Sequence, residues 1–162
     1  MDCFSYKNSS LFCEDVNLQD IANEYGTPAY VYSRRTLEQN IDLYQQSFKN
    51  KNSLICFSVK SLNNLAILKI LNDKECGFDI VSYGELMRVL HVGADPNKII
   101  FSGVGKSEME IVEGINNGIL SFNIESESEL HRIERIASKL KKQVSVAIRF
   151  NPEIDSGGHD YI

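Results

Sequence analysis

Short apolar runs alternate with helical patterns along most of this chain. Five runs, at residues 54–59, 78–81, 98–101, 120–124 and 144–150, have the mostly apolar character of strands that are buried on both faces. Between them lie segments with apolar side chains at helical spacing over roughly 10–15 residues. Strands that alternate with helices in this way predict consecutive βαβ units and therefore a parallel sheet.

Polar residues mark the starts of the predicted helices. Ser33 is predicted to cap the helix that precedes the first strand of the series. Serine followed three residues later by glutamate, the sequence of a capping box, occurs at Ser82–Glu85, Ser107–Glu110 and Ser126–Glu129. Upstream of Ser33, residues 18–25 predict a short helix ended by Gly26, and residues 27–32 predict a strand outside the βα repeats.

Two folds are built from such βα repeats. Right-handed connections wind the sheet either into an open doubly wound fold or into part of a (β/α)8 barrel. The regular repeat of roughly 20–25 residues favours the barrel, and no Gly-x-Gly-x-x-Gly follows the first strand as in dinucleotide-binding folds. The run Gly103–Ser107 contains Gly-Lys-Ser but lacks the first glycine of a P-loop. We therefore predict an α/β fold, a partial (β/α)8 barrel of about five βα units.

Composition excludes several classes of protein. The 162 residues are 43% hydrophobic, which suits a globular domain. A net charge of −5 argues against nucleic acid as a partner, because nucleic-acid-binding domains usually carry a basic patch. No apolar run reaches about 18 residues, so no membrane span is expected. The N-terminus lacks the basic and apolar regions of a secretory signal, and a cytoplasmic location is predicted.

Cysteine and histidine spacing gives no indication of a metal site. The four cysteines form no Cys-x-x-Cys pair, and the three histidines are scattered. Cys56 lies within an apolar run and is expected to be a reduced, buried thiol. Near the C-terminus, a solvated loop is the simpler interpretation of the polar cluster Glu153, Asp155, His159 and Asp160. We therefore predict no bound metal.

The carboxyl ends of the predicted strands carry the candidate site residues, because active sites of parallel α/β folds gather at that edge. This rule selects six positions: Lys60, Asp79, Ser102, Gly103, Glu125 and Arg149. Lys60 directly follows an apolar strand, so we expect its amine to be partly desolvated and nucleophilic. Such lysines form Schiff bases with aldehydes, including pyridoxal phosphate. The alternative is that Lys60 extends its ammonium group into solvent.

Two further positions on the same edge also allow two interpretations each. Asp79 either orients a catalytic group by accepting a hydrogen bond or caps the following turn. Arg149 lies in a strand that is predicted to be buried, so its guanidinium needs an anionic partner. That partner is either a cofactor oxygen or a carboxylate in a structural salt bridge.

Ordered motifs in the chain resemble those of the diaminopimelate decarboxylases. The segments that carry the likeness are Phe57–Ala66, Gly77–Leu86, Phe101–Ser107, Asn123–Leu130 and Arg149–Asp155. The first of them, Phe-Ser-Val-Lys-Ser-Leu-Asn-Asn, is similar to the family's Tyr-Ala-Val-Lys-Ala-Asn-x-Asn. Residues 25–32 are similar to the strand that leads into the family's β-domain. The resemblance runs from about Asp20 to the last residue, and five motifs in the same order are highly specific.

The resemblance implies a fold-type III enzyme that uses pyridoxal 5'-phosphate, with a (β/α)8 barrel joined to a β-domain. Residues 1–33 would be the N-terminal segment with the first strand of the β-domain, and residues 34–162 the N-terminal part of the barrel. Lys60 matches the lysine that holds the cofactor, and Arg149 matches a strand-end arginine close to it. Asp79 lies in the motif that supports a histidine stacked on the cofactor ring.

The implied reaction is the decarboxylation of meso-diaminopimelate to L-lysine and CO2 by a homodimeric full-length enzyme. Ser61, Val104 and Gly158 depart mildly from the family pattern. The chain stops after its fifth predicted strand, short of the roughly 250 residues of a complete barrel. We therefore expect the histidine, the phosphate-binding glycine turns and the glutamate at the pyridine nitrogen to lie outside it.

Two alternative functions remain open at this point. The chain could be a non-catalytic, truncated half-barrel, since a five-stranded sheet leaves parallel edges that must be covered. It could also come from a sibling decarboxylase that acts on ornithine, arginine or carboxynorspermidine. The ending, residues 155–162, is more similar to the diaminopimelate branch.

Overall fold

A small antiparallel sheet opens the chain in the computed structural model, which describes residues 3–152. Its strands are β1 (Phe4–Lys7), β2 (Ser10–Cys13) and β3 (Val16–Asn17), paired in that order. Asn8 and Ser9 form the two-residue turn between β1 and β2, with φ values of 49° and 65°. Positive φ at both positions is typical of the tight hairpin turn that matches strand twist, and asparagine tolerates it well. The sequence patterns had not predicted this sheet.

Two helices link the hairpin sheet to the βα series. The first helix, α1 (Leu18–Tyr25), is capped by the Asn17 side chain and ends at Gly26, close to the prediction. The second, α2 (Arg34–Ser47), begins after Ser33, whose Oγ accepts the Thr36 N–H at 3.0 Å as predicted. The predicted strand at residues 27–32 is not formed within residues 3–152, where this segment pairs with no strand. An extended segment becomes a β-strand only when a neighbour completes its hydrogen bonds.

Five parallel strands and four intervening helices make up the rest of the fold, as predicted. The strands are β4 (Cys56–Ser58), β5 (Gly77–Ile80), β6 (Ile99–Phe101), β7 (Ser121–Ile124) and β8 (Val146–Ile148). The helices are α3 (Leu65–Asp73), α4 (Tyr83–His91), α5 (Glu108–Asn117) and α6 (Glu127–Leu140). Short 3-10 turns lie at Val59–Ser61 and Pro96–Lys98. No helix within the described residues has the length and apolarity to cross a membrane.

The strand order in the sheet is β4-β5-β6-β7-β8, the same as the order in the chain. A doubly wound sheet reverses its order at one point, whereas a barrel adds each strand beside the previous one. The register pairs Ser58 with Asp79 and Asn123 with Ala147. The predicted partial (β/α)8 architecture is therefore confirmed.

The two faces of the sheet differ in character. One face is buried against the helices and carries Phe78, Ile80, Phe101, Phe122 and Ile124. The rings of Phe101 and Phe122 stack with centroids 6.0 Å apart. The opposite, inner face carries the alternate residues of the same strands, because successive side chains point to opposite sides. The inner face is where polar side chains appear, and it forms the candidate site.

The last strand departs from the expectation of burial on both faces. All three residues of β8 are exposed, although the apolar run at residues 144–150 had predicted a buried strand. In this position β8 has β7 on one side and no paired strand on the other within residues 3–152. The first strand, β4, is also shorter than the apolar run predicted, since a 3-10 turn begins at Val59.

Glutamates near the helix starts tie the turns to the helices. Ser107 heads a complete capping box at the start of α5. In α4 and α6 the glutamate instead accepts a backbone N–H one residue before the cap. Glu85 accepts from Val81 N at 2.8 Å, and Glu129 accepts from Glu125 N at 2.9 Å. These bonds fix the turns that follow β5 and β7, and Glu125, one of the predicted site positions, lies in the second of them.

Candidate active site

A row of hydrogen-bonded polar side chains crosses the inner face at the carboxyl ends of four strands. Ser58 Oγ donates to Asp79 Oδ2 at 3.4 Å, and Ser102 Oγ donates to Asp79 Oδ1 in a short bond. Asn123 Nδ2 in turn donates to Ser102 Oγ at 2.9 Å. All four residues are half-buried. Both Asp79 oxygens are therefore occupied by hydroxyl donors, and the carboxylate is held in one orientation.

Lys60 lies beside this row in the 3-10 turn that follows β4. The turn is closed by the Leu62 N–H, which donates to Val59 O at 3.0 Å, and by Ser61 Oγ, which donates to Ser58 O at 2.7 Å. Lys60 itself is exposed, so the expected desolvation is wrong. Its ammonium group has no hydrogen bond or ion pair within residues 3–152. The structure therefore presents a free primary amine at the edge of the sheet.

Arg149 follows β8 and pairs with a carboxylate. Its NH1 donates to Glu125 Oε2 at 3.2 Å, and its backbone N–H donates to Ile124 O at 2.9 Å. The Arg149 side chain is 61% exposed, whereas that of Glu125 is only 15% exposed. Because β8 is not buried, the guanidinium pays little desolvation cost here, and most of its N–H groups remain available to another partner.

Lys106, in contrast to Lys60, has a buried ammonium group. Its side chain is 1% exposed, and Nζ donates to Gly103 O at 2.7 Å, to Asn123 O at 2.6 Å and to Glu129 Oε1 at 2.8 Å. An ammonium group has three donors, so this cage uses all of them. The Gly-Lys-Ser sequence is therefore no phosphate-binding loop, in agreement with the sequence analysis.

A cysteine thiol lies on the inner face below the polar row. Burial raises the pKa of the Cys56 thiol, and the nearby Asp79 charge raises it further. Cys56 packs opposite Gly77, where a Cβ would lie 2.8 Å from its Sγ. Gly77 is therefore needed for close packing. Cys56 is a free thiol, as expected from the sequence, but it is half-buried rather than buried.

The sequence pattern predicted Asp79 and Ser102 of the polar row and the Glu125 partner of Arg149, but not Ser58 or Asn123 of the row. Ser58 and Asn123 are polar residues at alternating positions within apolar strands, and that alternation is the signal that could have placed them on the inner face. Lys106 offered no such signal, because its burial depends on Glu129, which is 23 residues away in the chain. The polar cluster after residue 152 lies outside the described residues.

Comparison with known proteins identifies the family. The family described as "Pyridoxal-dependent decarboxylase, pyridoxal binding domain" matches residues 34–162. This chain belongs to that family. The predictions of a decarboxylase family and of pyridoxal phosphate as its cofactor are thereby confirmed.

The sequence relatives carry a more specific name. Diaminopimelate decarboxylase from Haemophilus influenzae is 46% identical over 162 residues, which cover 100% of this chain and 39% of the relative. The enzyme of the same name from Vibrio cholerae is 46% identical over 163 residues, with the same two coverages. The chain thus spans about two fifths of the length of these relatives. The predicted resemblance to the diaminopimelate decarboxylases is confirmed.

Solved structures agree with the fold. Diaminopimelate decarboxylase from Helicobacter pylori, complexed with L-lysine, has a TM-score of 0.86 and 42% identity, covering 90% of this chain and 37% of that one. The enzyme from M. jannaschii, also in complex with L-lysine, has a TM-score of 0.91 and 33% identity, covering 99% and 38%. The arginine decarboxylase of a Paramecium bursaria Chlorella virus, at 22% identity and a TM-score of 0.71, shares the fold.

Proposed function

We propose that this chain supplies the lysine-bearing part of a diaminopimelate decarboxylase, which converts meso-diaminopimelate to L-lysine and CO2. The observation that carries the proposal is the 46% identity to diaminopimelate decarboxylases along the whole chain. Structures of the sibling enzymes for arginine and for lysine or ornithine are only 22% and 16% identical. The diaminopimelate branch is therefore favoured over its siblings.

The residues present suit pyridoxal phosphate. The cofactor has an aldehyde, which a primary amine attacks, and Lys60 is a free amine at the catalytic edge of the sheet. It also has an anionic phosphate and a polar ring, which need charged and hydrogen-bonding neighbours. When bound, the cofactor withdraws electrons from the substrate carbon that loses its carboxylate.

Each of the three site residues has a distinct role in this proposal. Lys60 would hold the cofactor through its side-chain amine, the group that reacts with an aldehyde. Asp79 holds the hydroxyls of Ser58 and Ser102 toward itself and so shapes the polar floor beside Lys60. Arg149 has further N–H groups that are not bonded to Glu125, and these can donate to an anionic oxygen.

The division of the chain is also part of the proposal. Residues 1–33 form the segment that leads into a β-domain, and residues 34–162 belong to the barrel. Residues 27–32, which include two tyrosines and a valine, would then take a strand partner from that β-domain. We expect decarboxylation only when the chain is combined with the additional length that its relatives have, as a homodimer acting on an amino-acid substrate.

A non-catalytic half-barrel is the second candidate, and the exposed strand β8 favours it. All three β8 residues are exposed, and the outer edge of this strand is unpaired within residues 3–152. Such an edge attracts another strand. The two candidates differ in one property, which is whether the chain captures the cofactor at Lys60.

Cofactor capture at a defined lysine tests the proposed function. The chain is incubated with stoichiometric pyridoxal 5'-phosphate, reduced with borohydride and mapped by peptide mass spectrometry. We expect the label on Lys60, its loss in Lys60→Arg, and its retention in the matched control Lys69→Arg, where the lysine is exposed on α3. A label spread over other lysines, or its persistence in Lys60→Arg, would refute the assignment and favour the non-catalytic half-barrel.

A further inference from the structure

Lys106, in the turn after β6, and Glu129, in the first turn of α6, form a buried ion pair at the catalytic edge. Their side chains are 1% and 7% exposed, and Nζ lies 2.8 Å from Glu129 Oε1. The remaining two Nζ donors bind backbone carbonyls, one in the turn after β6 and one in β7 itself. The pair thus connects the ends of neighbouring strands with the start of α6.

The backbone atoms held by this pair belong to residues that build the candidate site. Lys106 binds the carbonyl of Asn123, whose side chain donates to Ser102, which in turn bonds Asp79. The contacts therefore run without interruption from the buried ammonium to the carboxylate beside Lys60.

The carboxylate of the pair has a second connection of the same kind. Glu129 Oε2 accepts the backbone N–H of Glu125 at 2.9 Å. The side chain of Glu125 in turn accepts from Arg149 NH1. Arg132 NH1 adds a bond to the carbonyl of Lys106 at 3.0 Å, which fixes the turn from its other side.

We propose that the Lys106–Glu129 pair is a positioning element of the cofactor site. It holds the backbone at Asn123 and Glu125, and through their side chains it sets where Asp79 and Arg149 stand. Both side chains are buried, and their polar atoms are already bonded within the chain, so these are positioning residues. The inference rests on the proposed function for the identity of the site, but the positioning itself is a property of the cofactor-free chain.

A buried ammonium suits this task for a physical reason. Its three donors converge on oxygens from three separate segments: the β6–α5 turn, β7 and α6. A neutral side chain of the same length would leave two carbonyls and a carboxylate facing one another without a donor. Mutual repulsion and their need for water would then separate the two turns.

The first arm of the test needs no cofactor. Backbone amide exchange of Glu125 and the side-chain amide signals of Asn123 are followed by NMR in the wild-type chain, Lys106→Met and Glu129→Gln. Lys69→Met, at an exposed lysine, is the matched control. We expect exchange at Glu125 to accelerate about 10-fold in both pair variants, the factor that a charge-assisted hydrogen bond is worth. The control leaves it unchanged.

The second arm measures the site. Capture of pyridoxal 5'-phosphate at Lys60, by borohydride trapping, is expected to weaken roughly 10-fold to 100-fold in the pair variants, as for other residues that orient a binding group. The effect of Lys106→Met should be smaller in an Arg149→Met background, because both substitutions disturb the same contact path. A loss caused only by general destabilisation would be equally large in both backgrounds.

The outcomes separate the two proposals. Unchanged exchange at Glu125 in folded pair variants, or unchanged capture where the wild type captures, overturns the positioning role. If the wild type captures nothing at Lys60, the proposed function fails, and amide exchange alone decides whether the pair positions these turns. If Lys106→Met does not fold by circular dichroism, Glu129→Gln decides, because it keeps the shape of the pair and loses one of the two Glu129 contacts.

Discussion

Lys60 and Lys106 are the same amino acid after two strands of one sheet, yet their surroundings are opposite. Lys60 stands exposed in a tight turn directly after β4, with no partner among the described residues. Lys106 is buried and its three donors are all used. The two strand-to-helix connections have the same length, residues 59–64 and 102–107, but Lys60 lies near the start of the first and Lys106 near the end of the second. Gly103, with φ of 95°, gives the second connection a backbone conformation that other residues rarely adopt. A lysine is thus available for chemistry where no carbonyl or carboxylate of the described residues accepts from it, and Lys106 is unavailable because three oxygens do.

The largest difference expected between the two lysines is in stability. Lys106→Met leaves the buried Glu129 carboxylate unpaired, so we expect the free energy of unfolding to fall by about 3–5 kcal/mol. Lys60→Met removes an exposed amine and should change it by less than about 0.5 kcal/mol. Urea unfolding of both variants measures the contrast. Equal losses would mean that the buried cage does not hold Lys106.

The turn that covers Lys106 provides the next test. Gly103→Ala forces a side chain into a backbone with φ of 95°, which should cost about 1–3 kcal/mol of stability. Gly105→Ala is the matched control two residues further on, where a Cβ meets no atom within 4 Å. Thermal unfolding of the two variants is compared. A Gly105→Ala protein as unstable as Gly103→Ala would place the strain elsewhere in the turn.

A smaller effect is expected on the Lys60 side, where a cap orders the chain after the turn. Asn64 Oδ1 accepts the backbone N–H groups of Ala66 and Ile67 at the start of α3. Asn64→Ala should lower the free energy of unfolding by about 1 kcal/mol. The neighbouring Asn63→Ala should change it by less than about 0.5 kcal/mol, since Asn63 is exposed and caps no helix. Similar losses of unfolding free energy in both variants would show that the helix cap is not the source of the stability.

The smallest effect concerns acid and the turn that carries Lys106. Burial alone would raise the pKa of the Glu110 carboxyl, but hydrogen bonds from Ser107 and from the Tyr83 N–H outweigh it and hold the pKa below its ordinary 4.5. A depressed folded pKa contributes stability that is present above pH 4.5 and is lost as the pH falls through the folded value. The intrinsic amide exchange rate falls on acidification, and exchange at Ser107 and Tyr83 should therefore slow less than that intrinsic rate predicts.

Glu110→Gln provides the control for this acid effect. The glutamine cannot ionise, so the acid-induced loss of exchange protection at Ser107 and Tyr83 should disappear. Exchange at the Lys60 turn should be the same in both proteins. If the acid-induced loss of protection persisted in Glu110→Gln, another titrating group would be its cause.

Much of the fold was predictable because its causes are local. Helical spacing and the serine–glutamate starts of α4, α5 and α6 involve residues close in sequence, and each was placed correctly. The alternation predicted a parallel sheet, and the regular repeat without a Gly-x-Gly-x-x-Gly motif favoured the sequential strand order of a barrel. The edge on which Lys60, Asp79 and Arg149 lie followed from the same rule.

The sequence by itself therefore determined that this chain is a run of parallel βα units with a lysine at the end of the first strand. Only the tertiary structure decided which lysine is free, which hydroxyls bind Asp79, that residues 27–32 have no strand partner within the described residues, and that β8 is exposed. Burial and hydrogen-bond partners depend on residues far apart in the chain, such as Lys106 and Glu129. A local sequence pattern does not predict such long-range contacts.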